Sequence, residues 1–304
     1  MSDTVFVCGV TGTQGGAVAH NLLQKDIKIK SITRNIDSPQ ARSLISRGVH
    51  LFEGDFDNEE CLTQAMVDCT ALFLNLRPDF TKPNGELSQA QNILSAAKHA
   101  GIKHVVYTSA LGTVNPERLI HWSPSSMVGL LLRSKQAIEE EVRNAGFESY
   151  TILRPGNFMT NFLNPMVQMY QGLVETHSFT TAFIPETILP MIDPNDIGKF
   201  ATASILDPQR FNQKEIEAVS QMVGVVDLMQ DLSRSTGKDI QPFFLSEEEI
   251  NERLPTNPLL APQKVMRDMS LLVDMEEVQK WEIELGTFAQ FLERERERVE
   301  QTYL

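Results

Sequence analysis

Basic charge is what this chain has least of: 27 Lys and Arg stand against 40 Asp and Glu, for a net charge of −13 at pH 7. Neutralising a phosphate backbone needs clustered cations, so direct nucleic-acid binding is not expected. Cysteine is scarce as well. Cys8, Cys61 and Cys69 are an odd number without metal-ligand spacing, two of them in apolar surroundings, and read as reduced structural thiols. No bound metal is expected, and a reducing compartment suits them. No window approaches a membrane span, and the N-terminal stretch carries neither a basic leader nor an apolar core segment. The expectation is a cytoplasmic protein, nuclear if it is regulatory, with no membrane partner. No repeat or low-complexity linker divides the chain.

What is present is an ordinary globular composition, 304 residues with 41% hydrophobic and 22% charged, enough for one large or two modest domains. The organising stretch is Val5 to Gly16 (VFVCGVTGTQGG). Val5 to Val10 is too short for a helix and rich in β-branched residues, so it reads as a strand buried on both faces. Ala17, Val18, Leu22 and Leu23 then recur at helical spacing. A strand that enters a helix through Gly9, Gly12 and Gly15 is the geometry of a dinucleotide cradle: glycine lets the backbone approach a pyrophosphate and leaves helix N–H groups free to bind it. An ordinary glycine loop is the alternative. The strand before it and the helix after it favour the cradle.

Strand and helix signals alternate from there. Ile27 to Thr33 is a second strand ending at Arg34 and Asn35, where a carboxylate would bind the ribose 2′-hydroxyl of NAD. A guanidinium there can take a 2′-phosphate instead, so NADP(H) is expected over NAD(H). Arg34 as a solvated strand-end residue, and Asp37 as a ribose ligand, are the competing readings. Ser38-Pro39 opens a second helix. Val49 to Phe52 is a third strand followed by Gly54, Asp55 and Phe56; Asp55 reads as a cap for the next helix, as a group facing adenine, or as both. Ala71 to Leu76 brings Asn75 and Leu76 to the cofactor edge, and Gln89 to Ala100 is a helix stopped by Gly101. His104 to Thr108 is a fifth strand closing at Ser109, on the edge where ligands of such sheets bind. Met127 to Val142 is a helix carrying Lys135, by default a solvated lysine. Ser149 to Leu153 is a sixth strand, after which Pro155, Gly156, Asn157 and Phe158 turn the chain across the edge where a nicotinamide would lie. The sheet is expected to be parallel and doubly wound, with right-handed crossovers.

The set VTGTQGG, TRN after the second strand, EGDF, VYTSA, RSK with IEEEVRNAG, TILRPGNFMTNF and MIDPNDIG resembles the NmrA-like branch of the atypical short-chain dehydrogenases, from residue 5 to about residue 237. The resemblance implies a Rossmann-like domain binding NAD(P) and a smaller mixed α/β C-terminal region closing a cleft. The division expected is 1–155 with about 190–210 for the cofactor, and 156–189 with 211–304 for substrate or partner. It also implies that Gly9, Thr11, Gly12, Thr13, Gln14 and Gly15 contact phosphates, that Arg34 contacts the 2′-phosphate, that Asp55 and Phe56 flank adenine, and that Lys135 contacts the nicotinamide ribose. One position departs from the wider pattern. Short-chain dehydrogenases carry a proton-donating Tyr four residues before the Lys; here Leu131 stands there and cannot transfer a proton.

Beyond residue 158, Met159 to Val174 is apolar and rich in Met, read as core or lid packing. His121, Trp122, Phe158, Phe162, Tyr170 and His177 are substrate-pocket candidates, each more often structural when taken alone. Met191 to Ala203 is expected to start a helix capped by Asp193 or Asn195. Lys214 to Ser220 reads as an added strand, Val225 to Arg234 as an amphipathic helix ending at Gly237, and Ile240 to Leu245 as a strand. Ser246 caps a further helix, Leu254 to Pro262 is loop-like, and the tail from Thr287 is a helix whose alternating charges face solvent. Two functions remain. One is an NADPH-dependent reductase of a small apolar carbonyl, quinone or unsaturated compound, with Lys135 and Ser109 as catalytic candidates; the other is an NADP(H)-binding redox sensor for a protein partner such as a transcription regulator.

Overall fold

A computed structural model describes residues 4–78, 82 and 84–304. Backbone contacts divide the chain into two compact units, Met1–Thr113 with Leu131–Arg154 and Ile197–Ile216, and Val114–Leu130 with Pro155–Asp196 and Glu217–Leu304.

The chain begins with β1 (Thr4–Val7), buried at every position, then α1 (Thr13–Leu23), β2 (Lys28–Thr33), α2 (Pro39–Ser46), β3 (His50–Glu53) and α3 (Glu59–Met66). It continues through β4 (Ala71–Leu74), α4 (Gly85–His99), β5 (His104–Thr108), α5 (Met127–Asn144) and β6 (Ser149–Pro155). Local chemistry sets the boundaries. Ser38 Oγ accepts from Ala41 N with Pro39 at the first helical position, and Asn58 Oδ1 accepts from Cys61 N to open α3. Asn58, and not Asp55, is therefore the cap of α3; Asp55 Oδ1 instead accepts from Asp57 N at 3.0 Å.

After β7 (Asn157–Phe158), α6 (Leu173–Thr176), β8 (Ser178–Thr181) and β9 (Ile188–Ile192) come α7 (Pro194–Leu206) and β10 (Lys214–Ala218). The large sheet has seven strands in the order β10-β6-β5-β4-β1-β2-β3. The pairings of β1 with β2 and β4, β2 with β3, β4 with β5 and β5 with β6 are parallel. This is a doubly wound α/β sheet whose strand order reverses between β1 and β4, with β10 added beside β6. On one face Phe6, Leu72, Val105 and Ile152 pack against Leu62, Ala65, Ile93, Ala97, Ile138 and Val142 of α3, α4 and α5. α7 lies close on α1: a Cβ at Gly198 would fall 2.6 Å from the Ala17 carbonyl oxygen.

The second unit adds β11 (Gln221–Gly224), α8 (Val225–Thr236), β12 (Gln241–Phe244), α9 (Glu247–Arg253), α10 (Leu260–Met266), α11 (Met275–Gln279), α12 (Phe288–Arg294) and α13 (Arg296–Tyr303). β9 pairs β11 antiparallel and β7 parallel, and β12 pairs β8 parallel. Gly237 closes α8 in the left-handed conformation, and Ser246 opens α9 with a full capping box. Three expectations shift. Met191 and Ile192 belong to β9, so the helix starts at Pro194. Pro262 falls in the first turn of α10, where proline is tolerated, so a helix begins inside the stretch read as loop. The tail bends into two helices that bury Phe288, Phe291, Leu292, Val299 and Tyr303 in the core of this unit.

Candidate functional site

The first turn is built to stay free of side chains. Gly9 has φ of +64°, and Gly12 N donates to Gly9 O at 2.9 Å, so the chain doubles back at the end of β1. A Cβ at Gly15 would lie 2.3 Å from Gly9 O and 2.6 Å from Cys8 O, so only glycine lets α1 seat this closely on β1. Gly12 caps α1 without a side-chain hydrogen bond, and no acidic residue lies in the first turn. The helix N–H groups and their partial positive charge are thus open. Thr11, Gly12 and Thr13 are exposed, and Gln14 Oε1 is buried with no hydrogen-bond partner among the described residues. A cradle that a Cβ would fill and an open helix N-terminus fit a dinucleotide pyrophosphate.

At the end of β2 Arg34 is exposed and makes no hydrogen bond or ion pair among the described residues. The nearby carboxylate is otherwise engaged: Asp37 pairs with Arg42 at 3.0 Å, while Asn35 Oδ1 accepts from Asp37 N. Beyond β3, Asp55 is exposed and Phe56 half-buried; the Phe56 carbonyl accepts from Asn92 Nδ2 at 3.2 Å.

Where the strand order reverses, Asn75 follows β4. Its Nδ2 comes within 3.2 Å of where a Gly9 Cβ would sit, and its Oδ1 accepts from Thr108 Oγ1 at 3.2 Å. The Leu76 carbonyl accepts from Lys135 Nζ at 3.1 Å, and Lys135 also donates to Glu86 Oε1 at 2.5 Å. Lys135 is therefore buried, not solvated as its place on a helix suggests: α5 turns Leu132, Lys135, Glu139 and Val142 inward at helical spacing. Ser109 is also buried, and its hydroxyl donates to Glu139 Oε1 at 2.6 Å. Glu139 accepts as well from Thr113 at 2.8 Å, from Arg154 at 3.0 and 2.8 Å and from Arg143 at 2.7 Å. Burial works to raise the Glu139 carboxyl, but the hydrogen bonds and charge of Arg154, with Ser109 and Thr113, outweigh it and the net shift is downward. Glu215 on β10 closes the network by pairing Arg154 and Arg143.

The remaining candidates lie in the second unit. Pro155 is buried, and Asn157 and Phe158 form β7; Asn157 Oδ1 accepts from Asn161 Nδ2 at 2.9 Å. Phe162 and Tyr170 are core residues, their rings stacked at 5.0 Å beside Phe179 and Phe288. Burial pushes the Tyr170 phenol up to about 12 against the opposing hydrogen bond of Asn157, so it stays neutral. His121 is exposed, Trp122 is half-buried with its indole N–H lacking a partner among the described residues, and His177 ends α6 at φ of +53°. Burial likewise raises the thiols, Cys8 to about 12 and Cys69 to about 11, so neither is a nucleophile at neutral pH. Among the described residues no group of His, Cys, Asp and Glu is arranged to hold a metal ion, and no helix is long and apolar enough to cross a membrane.

The pattern of the NmrA-like family matches residues 1–294, past the point near residue 237 where the motifs run out. The chain belongs to the NmrA-like family. An NmrA-like family domain-containing oxidoreductase, FrzB of Cladobotryum sp, is 29% identical over 257 residues, covering 78% of this chain and 75% of that one. Among solved structures, the triphenylmethane reductase of Citrobacter sp., complexed with NADP(H), superposes with a TM-score of 0.74 at 22% identity over 97% of this chain and 99% of that one. NmrA itself, a negative transcriptional regulator solved with NAD, gives 0.76 at 18% identity over 96% and 94%. The family thus holds oxidoreductases by name, and its fold is shared with both a reductase and a regulator.

In this NmrA-like protein two acidic residues escaped sequence reasoning, Glu86 and Glu139. The signal for both was helical spacing. Glu86 occupies the inward stripe of α4 with Ala90, Ile93 and Ala97, and Glu139 that of α5. A carboxylate on an apolar stripe announces a buried partner.

Proposed function

We propose that this protein is an NADPH-dependent reductase of small, apolar, electron-poor compounds: carbonyls, quinones or activated double bonds. The observation that carries the nucleotide part is the side-chain-free turn at Gly9, Gly12 and Gly15 below an uncapped helix. Thr11, Gly12, Thr13 and Gln14 hold the pyrophosphate through backbone N–H groups and the Gln14 amide. Arg34, exposed at the end of β2, pairs the 2′-phosphate. Asp55 and Phe56 border the adenine, and Asn75, Leu76 and Lys135 border the nicotinamide end. The nicotinamide, when bound, supplies the hydride.

The protein's part of the chemistry is constrained. Leu131 offers no proton, the Ser109 hydroxyl proton is committed to Glu139, and Lys135 is paired with Glu86. The residues present bind and orient the cofactor and leave product protonation to Lys135 or water. The same three facts favour a second reading, a redox sensor that reports the cofactor's state to a protein partner. A panel of quinones, aldehydes and enones followed by NADPH absorbance separates the two. Turnover of any class that is lost in Lys135→Ala supports the reductase. An inert panel beside tight, redox-selective cofactor binding overturns it in favour of the sensor.

A further inference from the structure

Glu86 is the buried charge that the proposed reaction leaves unused. It sits in the first turn of α4 with 2% of its surface exposed. Three elements meet on it or on its partner. From α5, Lys135 Nζ donates to Oε1 at 2.5 Å and Ser134 Oγ to Oε2 at 2.9 Å; from the end of β4, the Leu76 carbonyl takes a second ammonium proton at 3.1 Å. From β5, the Tyr107 ring lies 5.9 Å below the ammonium. Burial, and then the charges of Glu86 and Glu139, push the Tyr107 phenol well above its ordinary range, so it faces the pair as a neutral group. Glu139, one turn along α5, is occupied by Arg154.

An ammonium has three N–H donors on a flexible stem. Among the described residues Glu86 and Leu76 take two, which leaves one on an ammonium anchored beside Leu76, at the end of β4 where the sheet order reverses. A merely structural contact between α4 and α5 is met as well or better by apolar side chains of the same volume, because two charges must be desolvated to make this one. The pair therefore makes sense as a device for holding a cation at the ligand edge.

We infer that Glu86 is a positioning residue that aims the remaining Lys135 donor at the nicotinamide ribose of the bound cofactor. This rests on the reading that Lys135 meets that ribose. Glu86 touches no ligand; it acts through Lys135.

The test is a double-mutant cycle on the full chain, with NADPH affinity read by calorimetry and folding by thermal melting for wild type, Glu86→Gln, Lys135→Met and the charge-free double variant. Lys135→Met weakens NADPH roughly ten-fold, the size of one charge-assisted hydrogen bond. Glu86→Gln weakens it by a similar factor in the wild-type background and has no further effect in the Lys135→Met background. Equal losses from Glu86→Gln in both backgrounds, or none in wild type while Lys135→Met weakens binding, overturn the positioning role and leave the ribose contact standing. No loss in Lys135→Met overturns the ribose contact, and the inference with it. Should Glu86→Gln not fold, Glu86→Asp runs the same cycle: it keeps the charge one methylene short, and its partial loss must vanish when Lys135 is Met.

Discussion

Replacing Gly12 and Gly15 one at a time separates the two duties of the first turn. At Gly15 a methyl group would sit 2.3 Å from Gly9 O, 2.5 Å from Gly9 C and 2.6 Å from Cys8 O, all backbone atoms of the strand end that cannot swing aside. α1 must therefore lift from β1, an overpacking cost of about 3 kcal/mol, which lowers the melting temperature on the order of 5–10 °C. At Gly12 the backbone is extended, with φ of −100° and ψ of −179°, and the added Cβ meets only Gly9 O at 3.3 Å. Alanine fits there with a shift of a few tenths of an ångström, at a cost below about 1 kcal/mol. It stands, however, where the phosphates approach the helix, and losing one charge-assisted N–H bond weakens NADPH about 10- to 100-fold. Scanning fluorimetry and calorimetry on the two variants check both numbers. A Gly15→Ala protein that melts with wild type refutes the packing of α1 on β1, and a Gly12→Ala protein that binds NADPH like wild type refutes the phosphate cradle.

Three further outcomes follow from the same geometry. Arg34→Ala is expected to weaken NADPH roughly ten-fold or more while changing NADH less than two-fold, measured in one buffer; equal losses would remove Arg34 from the 2′-phosphate. Glu139 and Glu215 have carboxyls held below the ordinary value of 4.5. Their stabilisation is accordingly complete above the unfolded-state range and is lost as pH falls through the lower folded-state values. The urea midpoint should be level from pH 7 to about 5 and fall below about pH 4, with a shallower acid limb in Glu139→Gln. An acid limb unchanged in that variant would show that other carboxylates drive it. Arg294 grips the buried Asp193 at 2.7 and 2.9 Å but is itself 43% exposed, so Arg294→Ala should cost about 1–2 kcal/mol and reduce hydrogen-exchange protection across Phe288–Leu304. Unchanged protection would mean that Phe288, Phe291 and Leu292 alone hold the tail.

The short β7, β8, β9 and β11, whose pairing partners are distant in the chain, were not readable; the strands of the large sheet were, because each was a short run, apolar or alternating, punctuated by Gly, Pro, Ser or Asn. The strand-turn-helix at Gly9 to Gly16 was readable for the same reason: a backbone requirement is written in local sequence. What stayed hidden depends on partners distant in the chain. Lys135 looked solvated because its counter-ion is Glu86, 49 positions away. Ser109 looked available because its acceptor, Glu139, lies one helix later. Phe162 and Tyr170 were pocket candidates read as more often structural, and their rings do close on Phe179 and Phe288, partners that no periodicity in a segment of short turns foretells. The tail helices read as solvated because Arg294 gives no sign of Asp193, 101 positions before it.

The central claim is that the turn at the head of β1 and Arg34 at the end of β2 together bind an NADP-type dinucleotide. Calorimetric affinities for NADPH, NADP⁺, NADH and NAD⁺, measured on the same purified protein in one buffer, test it most directly. The account predicts that both 2′-phosphorylated forms bind at least ten-fold tighter than their NAD counterparts, with NADPH no weaker than NADP⁺. Equal binding of all four contradicts the role of Arg34, and no binding of any contradicts the cradle itself.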